Sequence, residues 1–285
     1  MANRIAFITD STCDIPQEWL IKYDITIVPL TIVWGNEQYL DGVEMNAEEF
    51  YQRLGVVMPI PTTSQPTPGS FLKAYKEAAA KGAEEIIVFT ISSAMSGTIE
   101  SARRAAEESP IPVHIHDSRN NSMALGWQVI AAARAREAGK DVAGILAAAE
   151  YVRANVIYYI SLDTMEYLFK GGRIGQATKF LESIIKIKPL IYVNHDSGTV
   201  GAGFPARTRA GAIQGLYNEY FKHIPAGKPL HITVLHNAAL AEAQELAEKV
   251  IAEFHPVEIF ISIVSPVLGV HTGPRAIALC GYAEA

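Results

Sequence analysis

A chain of 285 residues is long enough for two domains of ordinary size or one large one, and with 49% apolar residues it can build a real core. Charged residues make up 19%, which argues against a long disordered tail, and a net charge of −6 argues against non-specific nucleic-acid binding, which needs a basic excess to displace counterions, local basic patches aside. The start of the chain lacks the basic segment and long apolar stretch of an export signal, and no apolar run approaches the roughly 18 residues that suggest a membrane span. Cys13 and Cys280 lie far apart with no C-x-x-C, so a cytoplasmic protein with reduced thiols is expected.

The chain opens with an apolar strand, 4–9, whose polar exit is Asp10-Ser11-Thr12-Cys13-Asp14. Pro16 suits the first turn of a short helix reaching Tyr23, because its missing N–H has no partner there anyway. A strand at 25–30 follows. Residues 31–34 and 38–40, joined by Gly35-Asn36, predict a small hairpin. Asn46 and Glu49 have capping-box spacing for a helix to about 54. Four prolines in 59–68 exclude regular structure there. Thr67 then caps a helix from Pro68 to Ala80, stopped by Gly82.

The stretch that organises the rest is 85–98. Ile86-Ile87-Val88-Phe89 reads as a strand buried on both faces, and it runs into Ser92-Ser93-Ala94-Met95-Ser96-Gly97-Thr98 and then a helix over 99–108. A Ser/Gly loop opening a helix collects unpaired N–H groups beside hydroxyls, which is a place for an anion. Residues 113–116 form another strand. Its exit, 117–121, leads to an Ala-rich helix ending near Gly139, and a further helix follows Asp141 to about 154. The alternation predicts a mostly parallel sheet with helices on both faces and polar loops at the carboxyl edge, where such sheets bind ligands.

The second half, from 156, holds a strand at 157–161 and a short helix at 164–170, ended by Gly171-Gly172. A helix over 176–186 comes next, then a hairpin of 189–194 and 198–204 and a helix over 207–221. Strands at 231–235, 257–264 and 276–281 and a helix at 239–254 complete it. The expectation is a two-domain α/β protein. Residues 1–155 form an N-terminal domain with a small hairpin insertion. Residues 156–285 form a C-terminal sheet-and-helix domain.

Each candidate site has a plain structural reading beside it. Ser93, Ser96, Gly97 and Thr98 make an ordinary helix start. Thr62-Thr63-Ser64 is a second hydroxyl-rich loop before a helix, and two such loops face to face would form a clamp of neutral donors. His271 sits in a Gly- and Pro-bounded loop, 265–275, that can carry a side chain into a cleft. Ser96 as a nucleophile is disfavoured, since no G-x-S-x-G elbow is present. His114-x-His116 with Asp117 makes a poor metal site, so no metal is expected. Arg173, Arg207 and Arg209, with Lys170, Lys186 and Lys188, form a basic cluster, read as solvated surface or as a dock for an acidic partner or phosphate.

Asp10-Ser11-Thr12-Cys13-Asp14, Thr63-Ser64-Gln65-Pro66, Ser92 to Thr98, Asp117-Ser118, Lys170-Gly171-Gly172-Arg173-Ile174, Lys186-Ile187-Lys188-Pro189 and His271-Thr272-Gly273 occur in one order along the chain. As a set they resemble the DegV family of bacterial fatty-acid-binding proteins; Pro274-Arg275 after the last motif departs from its pattern. The resemblance implies a carrier without chemistry of its own or a cofactor. It binds a long-chain fatty acid of about C14–C18 in a buried tunnel lined in part by the second domain. The carboxylate is held by Thr63, Ser96 and His271, with Thr62, Ser64, Ser93 and Gly97 in support. It also implies a partner, an ATP-dependent fatty acid kinase that makes an acyl phosphate for phospholipid synthesis, docking near Arg173 and Arg207, and transient membrane contact. Burying some 14 methylenes gives roughly 11 kcal/mol as an upper figure, so the tail would supply most of the affinity. The alternative is a phosphosugar-binding enzyme or sensor; against it, no convincing acid–base pair is present.

Overall fold

The computed structural model describes residues 4–178 and 187–284. The chain is an α/β protein of two sheet-bearing halves. In the first, a parallel sheet has the order β2-β1-β6-β7, from β1 (Ile5–Asp10), β2 (Ile25–Val28), β6 (Glu85–Thr90) and β7 (Val113–Asp117). The apolar run of β6 is buried because it pairs on both edges and is covered on both faces. Helix α3 (Pro68–Ala80) and helix α4 (Thr98–Ala106) cover one face. The predicted caps are formed: Asn46 accepts from Glu49 N–H, starting helix α2 (Ala47–Arg53), and Thr67 accepts from Ser70 N–H, starting α3.

A small antiparallel sheet joins β3 (Thr31–Trp34), β4 (Glu37–Leu40) and β5 (Thr62–Ser64) in the order β4-β3-β5. The hairpin turns at Gly35-Asn36, with Gly35 at φ +64°, where a side chain is disfavoured. β5 corrects the expectation that 59–68 has no regular structure. Thr62, Thr63 and Ser64 keep their N–H groups between Pro61 and Pro66, enough for three pairings with β3 on an outer edge.

The second half is built on a six-stranded sheet ordered β10-β9-β8-β13-β11-β12. Its strands are β8 (Ile157–Ser161), β9 (Lys188–Val193), β10 (Val200–Ala206), β11 (Leu230–His236), β12 (Glu258–Ile263) and β13 (Ile277–Ala283). Only the β11–β12 pair is parallel. Helix α8 (Arg209–Phe221) and helix α9 (Leu240–Phe254) pack on its outer side. The helix expected over 176–186 lies, apart from its first residues, outside the described residues.

Between the two main sheets lies helix α5 (Ser122–Glu137), packed on one side against β1 and β6 and on the other against β13 and helix α6 (Val142–Asn155). Its small residues let both sheets come close; a Cβ on Gly126 would press against the Cys13 carbonyl oxygen. Trp127, fully buried at its centre, meets Trp19 from the first half and Phe260 and Tyr282 from the second, with ring centroids 5.3–6.0 Å apart. Among the described residues no helix is long and apolar enough to cross a membrane.

Candidate functional site

The parallel sheet reverses its strand order between β1 and β6, and the crevice beyond their carboxyl ends is the place such sheets offer to a ligand. A cavity of about 480 Å³ starts there, within the usual range for small-molecule sites. Thr12 after β1 and Ile91, Met95, Ser96 and Gly97 after β6 form one wall. Tyr158 and Ile160 of β8, Ile191 and Val193 of β9, Val200 and Ala278 form another. Exposed Ser64, Gln65 and Arg173, which also line it, mark where it meets solvent.

Thr63 and His271 meet at this cavity across 208 residues of sequence: Thr63 Oγ1 and His271 Nε2 share a hydrogen bond of 3.0 Å. The fold achieves this through helix α10 (Pro266–Thr272), which packs against α2 and the small sheet. α10 corrects the loop expected over 265–275. Pro266 occupies the first turn, where its missing N–H costs nothing, and Gly273 ends the helix at φ +71°. Ser96 lies on the same cavity, its hydroxyl bonded to Thr98 Oγ1 at 2.9 Å. Gly97 is a close-approach position, since a Cβ there would collide with Gln65, whose amide donates to Ser101 Oγ.

Burial, and then the nearby Arg173 charge, push His271 down to about pKa 4, so its imidazole is neutral at physiological pH. Its Nδ1 has no hydrogen-bond partner among the described residues. That nitrogen faces Gly171 so closely that an added methyl group would clash with it. Gly171 has an ordinary helical φ of −72°, so Gly171→Ala is a steric change alone. We expect Gly171→Ala to push the ring off Thr63 and raise His271 towards its usual pKa, read as an upward move of its NMR titration midpoint by more than about one pH unit. An unmoved midpoint would show that the ring does not rest on Gly171.

Not every candidate reaches the cavity. Ser93 is exposed and turned away, its hydroxyl and N–H both donating to Asp117. Thr62 is exposed and, next to Thr63 in a strand, points to the other side of β5. Ser64 and Gly97 line the cavity. The basic cluster is also divided. Lys170 pairs with Glu166 of helix α7 (Glu166–Lys170), Lys188 with Asp163, and Arg209 with Glu242 through two hydrogen bonds. Lys186 lies outside the described residues. Arg173 donates to the Gly171 carbonyl at 2.8 Å, and exposed Arg207 has no ion-pair partner among the described residues.

Residues whose part in the site has no local sequence signal complete it, Asp14 among them although it belongs to the 10–14 motif. Buried Asp14 accepts from Ser122 Oγ at 2.5 Å and Ser265 N–H at 2.9 Å, and buried Asp41 from Ser11 Oγ at 2.6 Å and Val267 N–H at 3.3 Å. Two carboxylates from the first half thus hold the N-terminal turn of α10, the helix that carries His271. Asn237, also lining the cavity, donates from its amide to Thr272 Oγ1 and the Gly273 carbonyl, fixing the other end of α10. No group of acidic, Cys or His side chains among the described residues has the makings of a metal centre.

Comparison with known proteins extends this picture over the whole chain. A family model described as an uncharacterised protein of the DegV family matches residues 4–284. A DegV domain-containing protein of Streptomyces coelicolor is 36% identical over 280 residues, covering 96% of each chain. A DegV family protein from Thermus thermophilus, whose solved structure is described as showing fatty acid binding, superposes with a TM-score of 0.92 at 29% identity, covering 99% of this chain and 100% of its own. The Bacillus subtilis DegV structure, described as a fatty acid binding protein, gives 0.90 at 29% identity, covering 99% of this chain and 100% of its own.

Proposed function

The chain belongs to the DegV family, and on that premise we propose that it binds one long-chain fatty acid, its tail in the cavity and its carboxylate at Thr63, Ser96 and His271. The observation that carries this is the cavity itself: aliphatic walls from β8, β9, β10 and α10, with neutral hydrogen-bonding groups gathered where α10 meets β5. A tail buried there contributes about 0.8 kcal/mol per methylene. The head contributes less, because a carboxylate leaving water must have its hydrogen bonds replaced. Hydroxyls and an imidazole replace them without a second fixed charge. A carboxylate beside His271 favours the imidazolium, so binding draws in a proton and tightens as pH falls below the bound-state pKa towards about 4.

The deciding experiment is mass spectrometry of an organic extract of the purified protein. A C14–C18 acid in near-equal molar amount is expected; an extract without fatty acid, from protein that also fails to take up added stearic acid, overturns the reading. His271→Ala is expected to weaken stearate binding by about tenfold, the worth of one hydrogen bond to a charged group. An unchanged Kd removes His271 from the head site.

The carrier role extends the same proposal. A protein that encloses the tail and leaves the acid near a solvent-facing mouth suits presentation to a fatty acid kinase, with Arg173 at that mouth and Arg207 on the surface as docking cations. The test is acyl phosphate formation from ATP by such a kinase on the loaded protein, compared with Arg207→Glu. Equal rates for parent and variant would remove Arg207 from the docking surface.

A further inference from the structure

The cavity carries a second group of polar side chains away from Thr63 and His271. Tyr158, Asn121 and Thr12 all line it; Tyr158 lies against the buried pair in which Ser122 Oγ donates to Asp14, Asn121 precedes Ser122 in the chain, and Thr12 stands two residues before Asp14. Tyr158 pairs with Cys280 on β13, whereas the Asn237 N–H binds the Ala276 carbonyl at the other end of the cavity. The four residue steps from Ala276 to Cys280 span about 13 Å along the sheet, so Tyr158 lies well down the cavity from the α10 end.

Its hydrogen-bonding capacity is largely unspent. Among the described residues the Asn121 amide reaches only the Met95 thioether at 3.1 Å, a weak acceptor, and although Asn121 precedes α5 its side chain does not cap that helix. Thr12 Oγ1 gives its proton to Asp10 at 2.6 Å and keeps its acceptor sites. Tyr158 is 4% exposed, and its phenol lies against Ser122, whose own proton goes to Asp14, with the Cys280 thiol and the Asp14 carboxyl nearby. A saturated hydrocarbon tail drives water from these groups and offers nothing in return. A hydroxyl on the tail both donates and accepts, and matches them.

We propose that Tyr158, Asn121 and Thr12 form a subsite for an oxygen function on the acyl chain, so that this protein prefers hydroxylated long-chain acids to plain ones. The proposal rests on the fatty-acid reading and names its substrate class. When the acid binds head-first at Thr63 and His271, the mid-chain hydroxyl donates to Thr12 or Asn121 oxygen and accepts from the Asn121 amide or the Tyr158 phenol.

The test is competition binding of stearic acid against hydroxystearic acids with the hydroxyl at successive mid-chain positions, on the delipidated full-length protein. One position is expected to bind about tenfold tighter than stearate, the worth of one well-satisfied buried hydroxyl. Tyr158→Phe and Asn121→Leu, which keep the bulk and drop the polar atoms, are expected to bring that ratio towards one. A parent that favours no hydroxystearate, or a preference that survives both substitutions, overturns the subsite and leaves the fatty-acid reading standing. Failure to bind stearate and all hydroxystearates alike overturns both.

Discussion

Ala278→Phe is expected to strip the protein of bound fatty acid while leaving it folded. Ala278 lies in β13 between Leu235 and Ile160, 2% exposed, with its methyl group on the cavity wall. A phenyl ring there takes the room of about five methylenes, and at about 0.8 kcal/mol each the loss is roughly 4 kcal/mol, close to a thousandfold in Kd. The ring enters open space rather than packed atoms, so the cost of overpacking is small. Acid released into an organic extract and the unfolding midpoint of the delipidated protein are the two measurements. Bound acid at the parent's level would mean that the tail runs elsewhere; a folded variant without lipid places it against β13.

Asp41→Asn is expected to stabilise the ligand-free protein above neutral pH. Burial is the main reason Asp41 is pushed up to about 7. The Ser11 and Val267 hydrogen bonds pull it back in part, and the charges of Asp14 and Asp10 push it further up. Asp14, buried and next to Asp10, is raised to about 6. The Tyr51 phenol, from α2, is buried against both and titrates well above its usual range. A carboxyl harder to ionise in the folded than in the unfolded chain favours folding while protonated. That stabilisation is complete below 3.8 and is lost as pH rises through about 6 for Asp14 and about 7 for Asp41. At about 1.4 kcal/mol per unit, the Asp41 shift corresponds to about 4 kcal/mol. His271 acts oppositely. It is neutral when folded, and its contribution is lost as pH falls from 6.5 through about 4. His231, raised, despite its burial, by hydrogen bonds to Glu258 and Glu284, loses its stabilisation as pH rises over the same range in parent and variant alike. The difference between the parent and Asp41→Asn in denaturant unfolding from about pH 6.5 to about pH 8 therefore isolates Asp41. The parent should lose more stability over that interval than Asp41→Asn, because Asn still accepts from Val267 N–H and meets Ser11. A difference that does not grow with pH, or a variant less stable than the parent at the upper end, contradicts this account.

Much of the scaffold could be read from local signals because local chemistry creates it. Asn46 and Thr67 each cap the helix they were expected to cap, by accepting from the N–H three residues on, and Asp141 does the same for the helix expected after it. Gly35 turns the hairpin, and the apolar run of β6 is the central strand it resembles. Helix α10 escaped notice because seven residues with Gly269 among them carry too little periodicity, and β5 because four flanking prolines mask three paired residues. The hydrogen bond between Thr63 and His271 is tertiary and has no local signature. Neither has the burial of Asp14 and Asp41, which depends on Ser265 and Val267 arriving from the far end of the chain. Gly171 looked like a helix terminator; its actual constraint is the His271 ring, more than ninety residues away.

Since α5 is the inner wall of both main sheets at once, neither half owns a complete interior. Severing the chain on either side of that helix strands one sheet with a bare greasy face. The two halves are therefore not portable modules. Grafting a relative's counterpart of the cavity-lining sheet onto this parallel sheet would have to carry the shared helix, and the rings that meet around Trp127, along with it.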